Sequence, residues 1–259
     1  MSLFEELIED KEEDVKIVKS FKPKDLLSDQ IFEVNGKSFS MRDDIRKRLL
    51  EISDNFIESL GIDFFIHDIV LTGSLSNFNW SQYSDVDLHI LIDFDEIDKN
   101  NKKDSIALHS IVKEFFDAKK NVWNEKHKIK IKGYDVEVYV QDVNEEHISS
   151  GVYSILHNKW VIEPKKEKAN IDDRKILEKG EEYAKKIDKL IQLGSKKDVT
   201  PEIETLRKKI KEFRQSGLES GGEYSYENLT FKLLRRNGYI EKLLKLKTDI
   251  TNKKLSITQ

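Results

Sequence analysis

The 259-residue chain contains no cysteine, only three prolines and no long apolar run. Without cysteine it can form no disulfide, no thiolate nucleophile and no cysteine-ligated zinc site. The scarcity of proline argues against long proline-rich linkers. No apolar stretch approaches the roughly 20 residues that a membrane-spanning helix needs, and the acidic first residues are unlike a secretory signal. We therefore expect a cytoplasmic protein with no membrane partner.

Charge is distributed unevenly along the chain, although the net charge is only −4. Met1–Asp14 carries seven acidic residues and one lysine, whereas Thr205–Gln259 carries 13 basic and six acidic residues. A basic end of this kind can mark a surface for a polyanion such as RNA, but the solvated face of a helix gives the same composition. The charge pattern alone does not decide between them.

Composition and apolar spacing divide the chain into three parts. We predict an acidic N-terminal extension over residues 1–30, a core of strands and helices over 31–165, and a helical C-terminal domain over 166–259. This order indicates an α+β fold, in which a mixed β-sheet is flanked by helices.

The elements of the core and of the C-terminal domain follow from local patterns. In the core we predict a hairpin turning at Asn35-Gly36, a helix over 41–60, strands over 64–71 and 84–92, a helix over 103–124 and a hairpin over 129–141. In the C-terminal domain we predict helices over 172–193, 201–215 and 226–246, the last two separated by the glycine- and serine-rich stretch 216–222.

The most informative residues follow the first long strand of the core. Leu71-Thr72-Gly73-Ser74 is separated by ten residues from Asp85-Val86-Asp87-Leu88. Gly73 lets the backbone approach a ligand closely because it has no side chain. Ser74 offers a hydroxyl and a backbone N–H to phosphate oxygens. Ser84, just before the first aspartate, is a further candidate for nucleotide binding, although a plain turn would also explain it.

Asp85 and Asp87 are two positions apart in a predicted strand, so both side chains project from one face. Adjacent carboxylates repel one another unless a cation lies between them, and such hard oxygen ligands suit Mg²⁺ or Mn²⁺ rather than zinc. Two ions about 3.5–4 Å apart can stabilise both the attacking and the leaving oxygen of a phosphoryl displacement. We therefore predict that both aspartates are catalytic metal ligands.

A third carboxylate is expected on the returning strand, Tyr134–Val140. Asp135 and Glu137 share one face of this strand, and its valines occupy the other face. Glu137 is favoured because it lies in the middle of the strand between valines. Asp135, nearer the turn, remains the alternative.

This combination resembles the signature of the DNA polymerase β-like nucleotidyltransferase superfamily, which has Gly-Ser, a spacer of about ten residues, Asp-x-Asp and a later acidic residue. The resemblance implies transfer of a nucleoside monophosphate from an NTP to an acceptor hydroxyl, with release of pyrophosphate. Asp85 and Asp87 would ligate two Mg²⁺ or Mn²⁺ ions and Glu137 the ion at the nucleophile, while Gly73 and Ser74 would hold the triphosphate.

A second, broader resemblance is to uncharacterised nucleotidyltransferases of large tailed bacteriophages. It rests on Leu71 to Asp93, on Gly151-Val152-Tyr153-Ser154 followed by Trp160, and on Glu227 to Gly238. In many polymerase β-like enzymes a helical domain supplies cations to the triphosphate, and by this resemblance Arg235 and Arg236 are the candidates here. A solvated basic helix face is the alternative.

Several readings of lesser features stay open. His89 shares the face of the aspartates and would either contact a phosphate or belong to the framework. Phe78, Trp80 and Tyr83 would either stack on a base or pack beneath the loop.

The acceptor is also open: RNA, a protein and a small molecule are all compatible with the fold. A non-catalytic binding module and a toxin–antitoxin component are further alternatives. The sequence has no Walker-type loop, His-Glu-x-x-His or serine elbow, which argues against P-loop, zinc-protease and α/β-hydrolase functions.

Overall fold

The computed structural model describes residues 12–36, 38–97, 105–145 and 149–257. These residues form two compact units. The sheet unit is Pro23–Glu167, and the helical unit joins the residues up to Lys22 to Lys168–Gln259. The N-terminal segment that we expected to be a separate extension is therefore divided at Lys22, and its helical residues 12–19 (α1) belong with the C-terminal helices.

The sheet unit contains one hairpin and one six-stranded sheet. The hairpin pairs β1 (Phe32–Asn35) with β2 (Ser38–Met41), as predicted from Asn35-Gly36. The strands of the sheet are β3 (Asp68–Thr72), β4 (Val86–Ile92), β5 (Lys130–Ile131), β6 (Tyr134–Asp142), β7 (Val152–Ser154) and β8 (Lys159–Ile162). Their order is β5-β6-β4-β3-β7-β8.

The sheet is mixed, because β4 and β6 are parallel whereas every other neighbouring pair is antiparallel. This confirms the predicted α+β class. The strands β7 and β8 were not predicted; they are three and four residues long, too short for an alternating pattern to stand out.

Helices cover the apolar face of the sheet. They are α2 (Asp43–Leu60), the single turn α3 (Phe94–Ile97) and α4 (Ser105–Lys126). Leu49 and Phe56 of α2 and Phe116 of α4 join Leu88 and Val138 of the central strands in one buried cluster. Burial of this alternating apolar face fixes the register of the strands and thereby the direction of the opposite, polar face.

The free edge of β6 beyond β5 is covered by a side chain of α4. Asn124 donates to the carbonyl of Val138 and accepts from its N–H, both at 3.1 Å. One amide side chain thus takes the place of a neighbouring strand and satisfies backbone groups that would otherwise lie unpaired.

The helical unit contains α5 (Asp173–Gly194), α6 (Thr200–Gly221), α7 (Tyr226–Arg236) and α8 (Tyr239–Leu255). Two predictions were wrong here. The expected helix over 226–246 is two helices, because Gly238 adopts a φ of +71° between α7 and α8.

The second wrong prediction is the break over 216–222, most of which continues α6. A Cβ at Gly217 would lie 2.5 Å from Cβ of Glu227, so glycine there permits close packing of α6 and α7. None of the helices in the described part of the chain is long and apolar enough to cross a bilayer.

Candidate active site

The turn that leaves β3 places its backbone against a carboxylate. Thr72 pairs with Asp87 across the antiparallel strands, and Gly73 then adopts φ +74° and ψ −158°, a region open essentially only to glycine. A Cβ at Gly73 would lie 1.8 Å from Oδ2 of Asp87. We predicted that Gly73 lets the backbone approach a ligand; in the structure, the group that this backbone approaches is the Asp87 carboxylate.

The second and third predicted acids are neighbours in the sheet. Asp87 of β4 and Glu137 of β6 are register partners in the parallel pair, so their side chains leave the same face. Both are half-buried, while Val86 and Leu88 of β4 and Val136 and Val138 of β6 are buried on the opposite face. Two segments distant in sequence thus bring their carboxylates together.

Asp85 and Asp135 differ in their surroundings. Asp85 directly precedes β4 and is half-buried, on the same side as Asp87 by strand alternation. Asp135 is exposed, and its carboxylate binds Lys130 of β5 at 2.9 Å. The residue beside Asp87 is therefore Glu137, and Asp135 belongs to the hairpin β5–β6.

A tyrosine that we did not single out holds the third acid. The hydroxyl of Tyr139 donates a hydrogen bond to Oε2 of Glu137. Its ring stacks on His89 at 4.8 Å, and Nζ of Lys120 lies 4.6 Å from the ring centroid. The position of Tyr139, two residues after Glu137 on the same face, was the signal available in the sequence.

The pKa of Tyr139 reflects the charges of all three acids. Burial raises the pKa of its phenol above the usual value, and the hydrogen bond to Glu137 and the negative charges of Glu137, Asp87 and Asp85 raise it further. The phenol accordingly stays protonated as a donor over the physiological range. The carboxylates thus share one negative potential.

Serines close the loop between the two strands. Oγ of Ser74 donates to Oγ of Ser84 at 2.7 Å, and Ser84 Oγ accepts from the N–H of Ser81 at 3.0 Å. Ser74 is half-buried whereas Ser84 is buried. This hydrogen bond joins the two ends of the loop directly before Asp85. The observed contacts of Ser84 therefore hold the loop together.

A second serine fastens the same loop to β7. Oγ of Ser76 lies 2.7 Å from the carbonyl oxygen of Gly151 and 3.0 Å from that of Gly73. A Cβ at Gly151 would lie 2.1 Å from the carbonyl oxygen of Ser76, so only glycine fits. This contact explains why a glycine precedes β7. The spacing of residues in the sequence gives no such reason.

The remaining ring-bearing candidates have framework contacts. Phe78 is buried, and Nε1 of Trp80 donates to the carbonyl of Leu26 at 2.9 Å. Nδ1 of His89 lies 2.8 Å from Oε1 of Gln141. These contacts match the packing and framework alternatives for Phe78, Trp80 and His89.

Arg235 and Arg236 end α7 in the helical unit. Nη1 of Arg236 donates to Oγ of Ser20 at 3.0 Å, and its guanidinium lies 4.8 Å from the ring centroid of Phe21. These contacts tie α7 to the N-terminal segment of the same unit.

The chemistry of the donor set suits the metal that the sequence implied. Asp85, Asp87 and Glu137 offer oxygen donors of the kind that Mg²⁺ and Mn²⁺ prefer. Their shared negative potential, which raises the pKa of Tyr139 beyond the effect of its burial, is one that a divalent cation would relieve. The glycine turn at Gly73 keeps a Cβ away from the Asp87 carboxylate.

Comparison with known proteins gives no relative: no family model, no curated protein and no solved structure matches this chain.

Proposed function

We propose that the chain is a metal-dependent nucleotidyltransferase, which moves a nucleoside monophosphate from an NTP to an acceptor hydroxyl and releases pyrophosphate. The observation that carries the proposal is the register pair Asp87–Glu137, with the backbone of Gly73 against the Asp87 carboxylate. Solvent-facing acids of an ordinary hairpin would need neither feature.

The strand order supports a polymerase β-like core. The strand that precedes Gly73-Ser74, β3, lies beside the Asp-x-Asp strand β4, and β4 lies beside β6, the strand of the third acid. The signature that the sequence resembles requires these three segments to meet. Their adjacency in one sheet is what such a core would provide.

Each residue of the site has a role in this proposal. Asp85, Asp87 and Glu137 would hold two Mg²⁺ or Mn²⁺ ions, which when bound neutralise charge at the reacting phosphate. Ser74 would offer its hydroxyl and N–H to the triphosphate, with Gly73 leaving room for the approach. Tyr139 orients Glu137 through its hydrogen bond.

The reaction itself is a balanced displacement. The acceptor oxygen forms a bond to the α-phosphorus, and the bond from that phosphorus to the bridging oxygen of the β-phosphate breaks. Pyrophosphate leaves, and the acceptor proton passes to a base for which Glu137 is the candidate. The triphosphate role of Arg235 and Arg236 rests on the superfamily resemblance. The contacts of Arg236 described above lie within the helical unit.

The proposal is tested with α-labelled NTPs, Mg²⁺ or Mn²⁺, and three acceptor classes: RNA, protein and small molecules. We expect label transfer with pyrophosphate release, reduced at least about 100-fold by Asp87→Asn or Glu137→Gln. Asp135→Asn is the matched control, an acid on the same strand face that should leave transfer unchanged. Transfer that survives Asp85→Asn combined with Asp87→Asn would exclude this site.

An RNA acceptor has a further signature. The helical unit includes Thr205–Gln259, with its 13 basic residues. If RNA is the acceptor, its affinity should fall steeply with salt as counterions are released. A weak affinity that is independent of salt would point to a protein or a small molecule.

A further inference from the structure

A cluster of three metal-ligating side chains lies at the other end of the β3–β4 hairpin. His67 directly precedes β3 and Asp93 directly follows β4, and the N–H of His67 donates to the carbonyl of Leu91 at 2.8 Å. Asp85 and Asp93 are separated by the whole of β4, which at about 3.3 Å per residue is about 26 Å. This cluster is therefore separate from the proposed active site.

Glu96, in the single turn α3, completes the cluster. One ligand atom each from His67, Asp93 and Glu96 lies within 4.8 Å of the other two. Oδ1 of Asp93 accepts from the N–H of Asp95 at 2.9 Å, and the N–H of Glu96 bonds to the Asp93 carbonyl at 3.2 Å. These bonds hold the Asp93 carboxylate in place and bring Glu96 round to the same side.

The imidazole of His67 has an unsatisfied nitrogen. Its side chain is 32% exposed, but its Nε2 atom is buried and has no hydrogen-bond partner among the residues that the structure describes. The ring packs edge-on against Phe65 at 4.9 Å. Burying a ring nitrogen without a partner costs free energy, so a buried unbonded nitrogen beside two carboxylates calls for a ligand.

The spacing excludes a direct hydrogen bond and leaves room for a bound ion. Nε2 of His67 is 4.0 Å from Oε2 of Glu96, which is too long for a hydrogen bond. With metal–ligand bonds of about 2.1 Å, two ligands of a tetrahedral ion are about 3.4 Å apart. The exposed side chain of Glu96 can make the small movement that closes this difference.

We infer that His67, Asp93 and Glu96 bind a divalent first-row transition ion, for which Zn²⁺ is the probe. One imidazole nitrogen with two carboxylates is a donor set suited to zinc and its neighbours, whereas Mg²⁺ prefers oxygen ligands alone. The bound ion would join the residue before β3 to the turn after β4. It would therefore stabilise the hairpin that carries the proposed catalytic acids.

The test is a calorimetric titration with Zn²⁺ in the full-length chain carrying Asp85→Asn and Asp87→Asn, in excess Mg²⁺. We expect one Zn²⁺ per chain, with the affinity lowered at least tenfold by His67→Ala, and likewise by Glu96→Gln. Asp95→Asn is the matched control, because Asp95 lies in the same turn outside the cluster, and it should bind as the parent does.

The melting temperature provides a further readout. Zn²⁺ should raise the melting temperature of the parent chain and of the Asp95→Asn variant but not that of Glu96→Gln, a change at an exposed side chain that should leave folding intact. Absence of Zn²⁺ binding, or binding equal in the parent and Glu96→Gln, would overturn the inference. Because Asp85 and Asp87 are replaced in this chain, neither result bears on the proposed transferase activity, which the label-transfer assay tests separately.

Discussion

Asp87 and Glu137 occupy paired positions on the parallel strands β4 and β6, fifty residues apart in sequence. The backbone of Gly73 lies against the first of these acids, and Tyr139 donates a hydrogen bond to the second. Each acid therefore has its own structural support. Substitution of Gly73 or of Tyr139 therefore tests each support without changing the acid.

Replacement of Gly73 by alanine should disrupt the site. The new Cβ would meet Oδ2 of Asp87 at 1.8 Å in a backbone region closed to alanine. We expect a loss of about 2–4 kcal/mol in the free energy of unfolding, measured by urea denaturation, and a loss of metal binding.

The control for Gly73→Ala is Gly61→Ala. Gly61 also has a positive φ, +67°, but its added Cβ would meet nothing within 4 Å. It should cost only about 1 kcal/mol of backbone strain and leave metal binding intact. Equal effects of the two substitutions would show that Gly73 has no special relation to Asp87.

Tyr139→Phe should weaken metal binding without unfolding the protein. The phenylalanine keeps the ring that stacks on His89 but loses the hydroxyl that donates to Glu137. One hydrogen bond to a charged group corresponds to about 1.5–3 kcal/mol, so we expect about a tenfold or greater loss of Mn²⁺ affinity by electron paramagnetic resonance. The control is Tyr134→Phe, on the buried face of the same strand, which should leave the Mn²⁺ affinity unchanged.

Lys232 should make the stability of the protein depend on pH in the alkaline range. Burial lowers the pKa of its ammonium group, as do the nearby charges of Arg236, Arg235 and Arg214, whereas Glu223 opposes the shift. In the unfolded chain its pKa is about 10.4. As pH rises from the lowered folded value toward 10.4, the folded state loses its proton first, so stability increases.

The measurement for Lys232 is the free energy of unfolding against pH for the wild type and Lys232→Met. The methionine variant should be more stable at neutral pH, and its advantage should shrink as the pH approaches 10.4. Lys211→Met, at an exposed lysine of α6, should keep the wild-type pH profile. If the difference in the free energy of unfolding between wild type and Lys232→Met stayed constant with pH, it would contradict a lowered pKa of Lys232 in the folded protein.

Arg236→Met should lower the stability of the helical unit. The substitution removes the hydrogen bond to Ser20 and the contact of the guanidinium with Phe21, which together correspond to about 1–3 kcal/mol. Thermal unfolding measures the loss. A variant with unchanged stability but a raised KM for NTP would instead support the triphosphate role that the resemblance implies.

Local patterns in the sequence predicted much of the sheet unit. The alternation of Asp85, Asp87 and His89 with buried Val86 and Leu88 correctly indicated a strand with one apolar and one polar face. The hairpin predicted over 129–141 is also present, and it turns at Gly133 between β5 and β6, where the φ of this glycine is +90°. Both features are local, and both follow from strand periodicity and turn chemistry.

Features that depend on contacts between distant segments could not be predicted. The local pattern favoured Glu137 over Asp135, but its pairing with Asp87 depends on contact between β4 and β6, two segments fifty residues apart. Gly217 lies within α6, where the absence of a side chain permits close packing against Glu227 of α7. The hydrogen bond between Ser74 and Ser84 likewise joins residues ten positions apart.

A crystal of the protein soaked with Mn²⁺ and an NTP, with anomalous data recorded for manganese, tests the proposed site directly. We expect manganese bound by the carboxylates of Asp85, Asp87 and Glu137, at metal–oxygen distances of about 2.0–2.2 Å, with the triphosphate reaching Gly73 and Ser74. Manganese and nucleotide bound elsewhere, with no anomalous peak at these three carboxylates, would contradict it.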